Sequence, residues 1–148
     1  MPYVRPALAG VVVAGNPIIE ELRWHTVDAT HSVPGRFVIR DTTDGEIQLA
    51  GSGGTAAIGI VLVPNDTTKS LTAAAVLGDW ARVAHGPGVV VSAYYDKGNG
   101  NSVVKGEDLN IAANGKVYKA AATTASAVIG KAEESRAADG IILIRLAR

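Results

Sequence analysis

The sequence predicts a mainly β protein: a small β-barrel or β-sandwich with short helical turns and an extended N-terminal arm. Three observations carry this. Hydrophobic residues make up 47% of the 148-residue chain but aromatics only 5%, so Ala, Val, Ile and Leu must supply the core. The apolar runs are short and rich in β-branched residues, the length and composition of strands rather than helical stripes. Seventeen glycines and six prolines punctuate them, and turn signals recur about every ten residues, the spacing of a sandwich or barrel.

From the start of the chain, Pro2, Pro6 and Pro17 with Gly10 and Gly15 discourage a regular element over residues 1–20, and Val11–Val13 is a short apolar plug within them. Two readings stand for this arm. It folds back as an edge strand, or it extends to dock on a neighbouring subunit and becomes ordered there. Residues 21–148 read as a single β-rich domain. The predicted strands are Val11–Val13, Phe37–Ile39, Glu46–Leu49, Ile58–Val63, Val89–Tyr95, Lys116–Lys119 and Ile141–Leu146. Between them lie Asp44-Gly45, Asn65-Asp66, Asn99-Gly100, Asn114-Gly115 and Asp139-Gly140, pairs that favour tight turns because both residues tolerate positive φ. Ala-rich stretches predict short helices over Thr68–Val76 and around Ala120–Ala127.

One pattern repeats. Gly35-Arg36-Phe37-Val38 leads through Asp44-Gly45 to Ala57-Ile58-Gly59, and Gly106-Glu107-Asp108-Leu109 leads through Asn114-Gly115 to Val128-Ile129-Gly130. The outer glycines are 24 residues apart in both copies, and the middle glycine differs by one position. Each copy reads as strand, tight turn, strand, loop and a strand opening with Ile-Gly. These are either two related β units, about residues 33–63 and 104–132, or a coincidence of glycine spacing.

The chemistry is mostly exclusion. Fourteen basic residues balance fourteen acidic ones, which argues against binding nucleic acid or an anionic membrane, since both ask for a basic surface. No cysteine is present, so disulfides, thiolate catalysis and Cys-ligated metals are excluded. The apolar residues of Ala7–Ala14 are too few and too interrupted for a signal peptide or a membrane span, and the chain reads as a soluble protein made in the cytoplasm. His25 and His31 fit no common zinc spacing, and His31 and His85 read as solvated or structural. Gly51–Thr55 lacks the Gly-Lys-Ser/Thr of a phosphate loop. Asp96–Asn101 with Glu107 partly matches a calcium loop, but Gly98 and Gly100 stand where ligands are needed. Glu20-Glu21 and Glu133-Glu134 read as solvated acid pairs. No catalytic, cofactor-binding or metal-binding residue is expected, and no enzyme.

The aromatic set is small: Tyr3, Trp24, Phe37, Trp80, Tyr94, Tyr95 and Tyr118. Trp80 is expected in or over the core, with a partner contact as the alternative. Tyr3, Val4, Arg5, Trp24 and Trp80 are the candidate contact residues.

Val128-Ile129-Gly130-Lys131-Ala132, followed by Asp139-Gly140 and the run Ile141–Leu146, resembles the C-terminal signature of phage capsid cement, or head decoration, proteins. Val104–Leu109 with Asn114–Lys119 resembles the hairpin before it, and Pro34–Val38 with Ala57–Ile60 is similar to the family's N-terminal half. The resemblance covers residues 33–148. It implies a β-tulip-like protein on the exterior of a tailed-virus capsid, a homotrimer that clamps neighbouring copies of the major capsid protein and carries no catalytic site. Two rivals remain. A non-catalytic binding module, carbohydrate-binding or tail-associated, predicts exposed aromatics on one face; an enzyme would use His85 with Asp79 or Asp96.

Overall fold

Eleven strands account for nearly all the regular structure of the computed structural model, which describes residues 3–52, 56–65, 70–98, 101–119 and 127–148. They are β1 (Val12–Ala14), β2 (Ile18–Trp24), β3 (Phe37–Arg40), β4 (Glu46–Leu49), β5 (Ala57–Val61), β6 (Trp80–His85), β7 (Val90–Tyr95), β8 (Asp108–Ile111), β9 (Val117–Lys119), β10 (Gly130–Ala132) and β11 (Gly140–Leu146). A 3₁₀ turn, Ala113–Gly115, separates β8 from β9.

The strands close into two five-stranded barrels. The first has the order β2-β4-β3-β5-β6. The second has the order β7-β9-β8-β10-β11 and closes through the parallel pairing of Tyr95 with Val117. The connectivity is the same in both, down to the one parallel pair, β2 with β4 and β7 with β9. The glycine pattern marks equivalent places: Val38 pairs with Gly59, and Leu109 pairs with Gly130. A Cβ on Gly59 would lie 2.4 Å from the Ala84 carbonyl oxygen, and one on Gly130 would lie 2.4 Å from that of Arg145. In both barrels the absence of a side chain lets the fourth strand cross against the fifth.

Side-chain alternation explains how the barrels join. On β3, Val38 points into the first barrel while Phe37 and Ile39 point at the second. On β5, Ile58 and Val61 point inward, and Ala57 and Ile60 outward into the shared core with Val91, Ala93 and Tyr95 of β7. Strands buried on both faces lose the polar alternation of a solvated sheet, hence the continuous apolar runs at Ile58–Val63 and Val89–Tyr95.

The N-terminal segment is tied into this seam. Gly10 donates its N–H to the Ser92 carbonyl (2.8 Å), Val63 donates to the Gly10 carbonyl (3.0 Å), and the Ser92 hydroxyl bonds the Leu8 carbonyl (2.8 Å). β1 then pairs with the start of β7 as an edge strand. The next strand, β2, begins at Ile18, so a boundary between residues 20 and 21 falls inside a barrel strand.

Other differences from the sequence reading have physical causes. β2 and β6 were not predicted, because their outward positions carry Glu21, Arg23 and Arg82 and their inward ones include small alanines. Residues 70–76 are not helical: Ala75 donates to the Ser32 carbonyl (2.8 Å), and tertiary bonding overrides alanine's propensity. The predicted helix of Ala120–Ala127 lies, except for residue 127, outside the described residues, as do Thr68 and Lys69 of the first helix, Asp66, Asn99-Gly100 and residues 53–55 of the glycine-rich loop.

The equivalence of the two crossing glycines is testable. Gly59→Ala and Gly130→Ala should each destabilise the protein by about 1–3 kcal/mol, because backbone rather than a flexible side chain blocks the new methyl. Gly51→Ala, with nothing within 4 Å of its added Cβ, should shift stability by less than about 0.5 kcal/mol. Urea midpoints at unchanged m-value would show both effects.

Candidate interaction face

β2 and β6 run antiparallel, with Glu21 opposite Arg82 and Arg23 opposite Trp80. The two-residue period sends Leu22, Trp24, Ala81 and Val83 into the barrel and these four outward, so they form one platform on rigid strands. Trp80 is 64% exposed, and the Arg23 guanidinium lies 5.7 Å from its ring centroid. The packing of Trp80 in or over the core is therefore corrected: the core positions of this strand belong to its neighbours. Trp24 is corrected the other way. It is 2% exposed within the first barrel and is withdrawn from any surface contact beyond the floor of a cleft.

That cleft has a volume of about 500 Å³ and lies between the platform and residues 70–79. Its wall is pinned: Val76 donates to an Asp79 carboxylate oxygen (3.0 Å), and Gly78 donates to the Trp24 carbonyl (3.0 Å). Arg82 donates to the Asn65 side-chain oxygen (2.7 Å) and to the Val63 carbonyl (3.3 Å). Neither Glu21 nor Asp79 forms an ion pair with another described residue. Leu71, Val76 and Leu77 are exposed along the same loop.

The other candidates lie on the second barrel. Arg5 pairs with Glu134 (3.3 Å) and reaches the Ile141 carbonyl (3.4 Å). Tyr3 and the Glu133 carboxylate both hold the Arg145 guanidinium above its ordinary pKa, Glu133 by accepting its Nε–H and contributing most. Val4 points away, 87% exposed. Glu133 and Glu134 are thus half-buried and partnered rather than freely solvated: Glu133 accepts from Arg145, and Glu134 accepts from Arg5 and from the Leu143 amide. The five candidates divide into two sets, one on each barrel, with Trp24 removed.

Each histidine faces a carboxylate. His25 bonds Glu46, His31 lies 3.1 Å from Asp28, and His85 lies 3.4 Å from Glu20, which also grips Arg40 through both oxygens. Asp79 precedes β6 and His85 ends it, so the strand separates that pair by roughly 20 Å. Asp96 accepts from the Gly98 amide, and Glu107 accepts from the Val104 amide and Lys119. No group of three or more metal-ligating side chains gathers among the described residues, and no helix of these residues is long and apolar enough to cross a membrane.

No family model and no curated protein matches the chain. Among solved structures, the crystal structure of the N base of head fiber gp8.5 in bacteriophage phi29 is similar, with a TM-score of 0.56 at 15% identity. The match covers 89% of this chain and 95% of that one. At that identity the likeness establishes a shared mainly β fold.

Asp28 offers a local test of the electrostatics. The His31 imidazole, 3.1 Å away, contributes most and hydrogen bonds from the Thr30 and His31 amides follow, together lowering the pKa of Asp28 from 3.8 to about 2. A depressed carboxylate pKa contributes stability that is present above 3.8 and lost as pH falls toward 2. In His31→Ala the Asp28 carboxyl, followed by NMR, should titrate at higher pH than in the wild type. It should remain below 3.8 because both amides still donate.

Proposed function

We propose that the chain is a phage virion structural protein that binds the exterior of an icosahedral head and reinforces it, acting as a homotrimer that contacts the major capsid protein. The observation that carries this reading is the fold likeness to a phage head-fiber base along nearly the whole of both chains. The cement-like signature at Val128–Leu146 points the same way, and the histidines lie in separate carboxylate pairs rather than in one constellation. Such a protein is made in the host cytoplasm and resides on the virion. It works by mass action: it binds the assembled shell and not its free parts, and many copies on one shell add avidity to modest contacts.

The N-terminal segment divides at Leu8. Residues 8–14 belong to the seam between the barrels, while Tyr3, Val4 and Arg5 rest on the outer surface of the second barrel through exposed polar contacts. This outer piece is the part free to exchange its contacts for those of a shell or a neighbouring subunit. Removing residues 1–6 should therefore abolish co-sedimentation with heads that lack the protein while leaving the thermal midpoint within a few degrees. Removing residues 1–17 takes away β1 and the Gly10 bonds and should unfold the domain. Full co-sedimentation of the shorter deletion would end the arm hypothesis.

Light scattering tests the assembly: a mass near three times 15.2 kDa is expected, free or on heads. His85→Ala should bind heads like the wild type, whereas a loss of binding with intact folding would count against a purely structural role.

A further inference from the structure

We propose that the cleft beside Trp80 is a binding site for a short, uncharged oligosaccharide, a second activity independent of attachment to a head. An indole on a barrel strand, 64% exposed, buries little of its own surface and adds little to the core. It is held in place instead. Arg23 covers one side of the ring and is itself bonded to the Gly78 carbonyl (3.4 Å), leaving a fixed apolar plate at the cleft mouth. The C–H face of a hexose is a flat apolar surface of matching size, and its edge is a ring of hydroxyls that each donate and accept.

The rim of the cleft answers that edge. Glu21 and Asp79 supply carboxylate oxygens, and Arg82 and Asn65 supply N–H groups, all four lining the cleft. Arg82 and Asn65 are oriented by their mutual bond (2.7 Å), which leaves the Asn65 amide N–H and other guanidinium donors for a ligand. The charged lining residues are Glu21, Asp79 and Arg82, with Arg23 just outside on the Trp80 ring, so the cleft has no excess of positive charge to hold an anion. That balance favours a neutral polyol over an anion. A volume of about 500 Å³ lies within the ordinary range of small-molecule sites.

The second barrel lacks this arrangement. By strand order and register, Ile141 opposite Tyr94 stands where Trp80 stands opposite Arg23. The connection there, residues 133–139, is much shorter than 62–79, and Arg5 already occupies the Ile141 carbonyl. The cleft is thus an addition to one copy of a duplicated scaffold.

The test is a titration of the purified chain with chitotriose, maltotriose and cellotriose, and with trigalacturonate as the anionic comparator. It is read by tryptophan emission and calorimetry. Trp24 and Trp80 are the only tryptophans and both line the cleft, so a ligand-induced change in emission reports its occupancy, and the part lost in Trp80→Ala reports Trp80. At least one neutral trisaccharide should bind one-to-one, and trigalacturonate should bind at least about tenfold more weakly. Trp80→Ala should weaken binding about tenfold or more at an unchanged thermal midpoint, and Glu21→Gln should weaken it by a smaller factor. Glu21→Gln decides the matter should Trp80→Ala fold poorly. The proposal is overturned if no neutral trisaccharide binds, if both variants bind like the wild type, or if Trp80→Ala instead lowers the mass seen by light scattering, which would make this face a contact between copies. None of these readouts involves heads, so the virion reading stands or falls separately.

Discussion

The double burial of β3 and β5 is the constraint from which the rest of the molecule follows. A strand in a closed barrel has one face to the lumen and one outside. In the first barrel the outside of these two strands is apolar and packs, through Phe37, Ile60 and Ala57, against the lumen and wall of the second. Phe37 and Ile60 are fully buried by it. Burying such side chains contributes roughly 1.5–3 kcal/mol each, which neither small barrel could gain alone with so few aromatics. The seam also requires close backbone approach. A Cβ on Gly115 would lie 2.4 Å from the Phe37 carbonyl oxygen, so the 3₁₀ turn of the second barrel sits directly on β3 of the first. Arg36 reaches across the same seam to the Asn114 carbonyl (3.1 Å), its guanidinium 4.5 Å from the Tyr94 ring centroid, and burial lowers its pKa from the ordinary value.

How much of this was legible in the sequence depends on which face of a strand speaks. Strands with two apolar faces, β5 and β7, stand out as continuous runs. Strands whose outer face is charged, β2 and β6, do not, because Glu20, Glu21 and Arg23 make the first look like the end of a polar arm. The glycine spacing was readable because close backbone crossings at Gly59 and Gly130 admit no side chain, whatever the neighbouring residues are. Ring closure was not readable. It depends on the parallel pairings of β2 with β4 and β7 with β9, which leave no turn signal between the partners. Trp24 and Trp80 show the same limit at the candidate site. Both are tryptophans at barrel-strand ends, yet the period-two register turns one in and the other out, and composition carries no register.

The equal topology of the two barrels also explains where specific behaviour resides. Two barrels of equal topology share the task of building a core, so differences between them are free of that task. Such differences concentrate at two places: the long connection of residues 62–79, with exposed Leu71, Val76 and Leu77 beside Trp80, and the N-terminal segment laid on the second barrel. In the first, residues 75–79 are pinned by hydrogen bonds beside the paired strands β2 and β6, so this part presents a preorganised surface. The second is held by one exposed ion pair, Arg5 with Glu134, and by a hydrogen bond to the Ile141 carbonyl; such a pair is worth no more than about 1 kcal/mol and is weakened by salt, so these contacts exchange readily.

These two kinds of surface suit two kinds of binding. A segment that gives up weak contacts on its own barrel loses little when it finds a better partner, and its gain is multiplied when many copies engage one lattice. The hinge of that exchange lies at Leu8–Gly10, where the chain enters the seam and the Ser92 hydroxyl and carbonyl hold it. A preorganised cleft gains nothing from repetition of that kind but retains its ligand geometry whether the arm is docked or released, since β2 and β6 are anchored to the core by Leu22, Trp24, Ala81 and Val83. The seam between the barrels thus separates the outer N-terminal contacts from the face that carries Trp80, and on the proposed readings neither attachment nor ligand binding has to compromise the shared core.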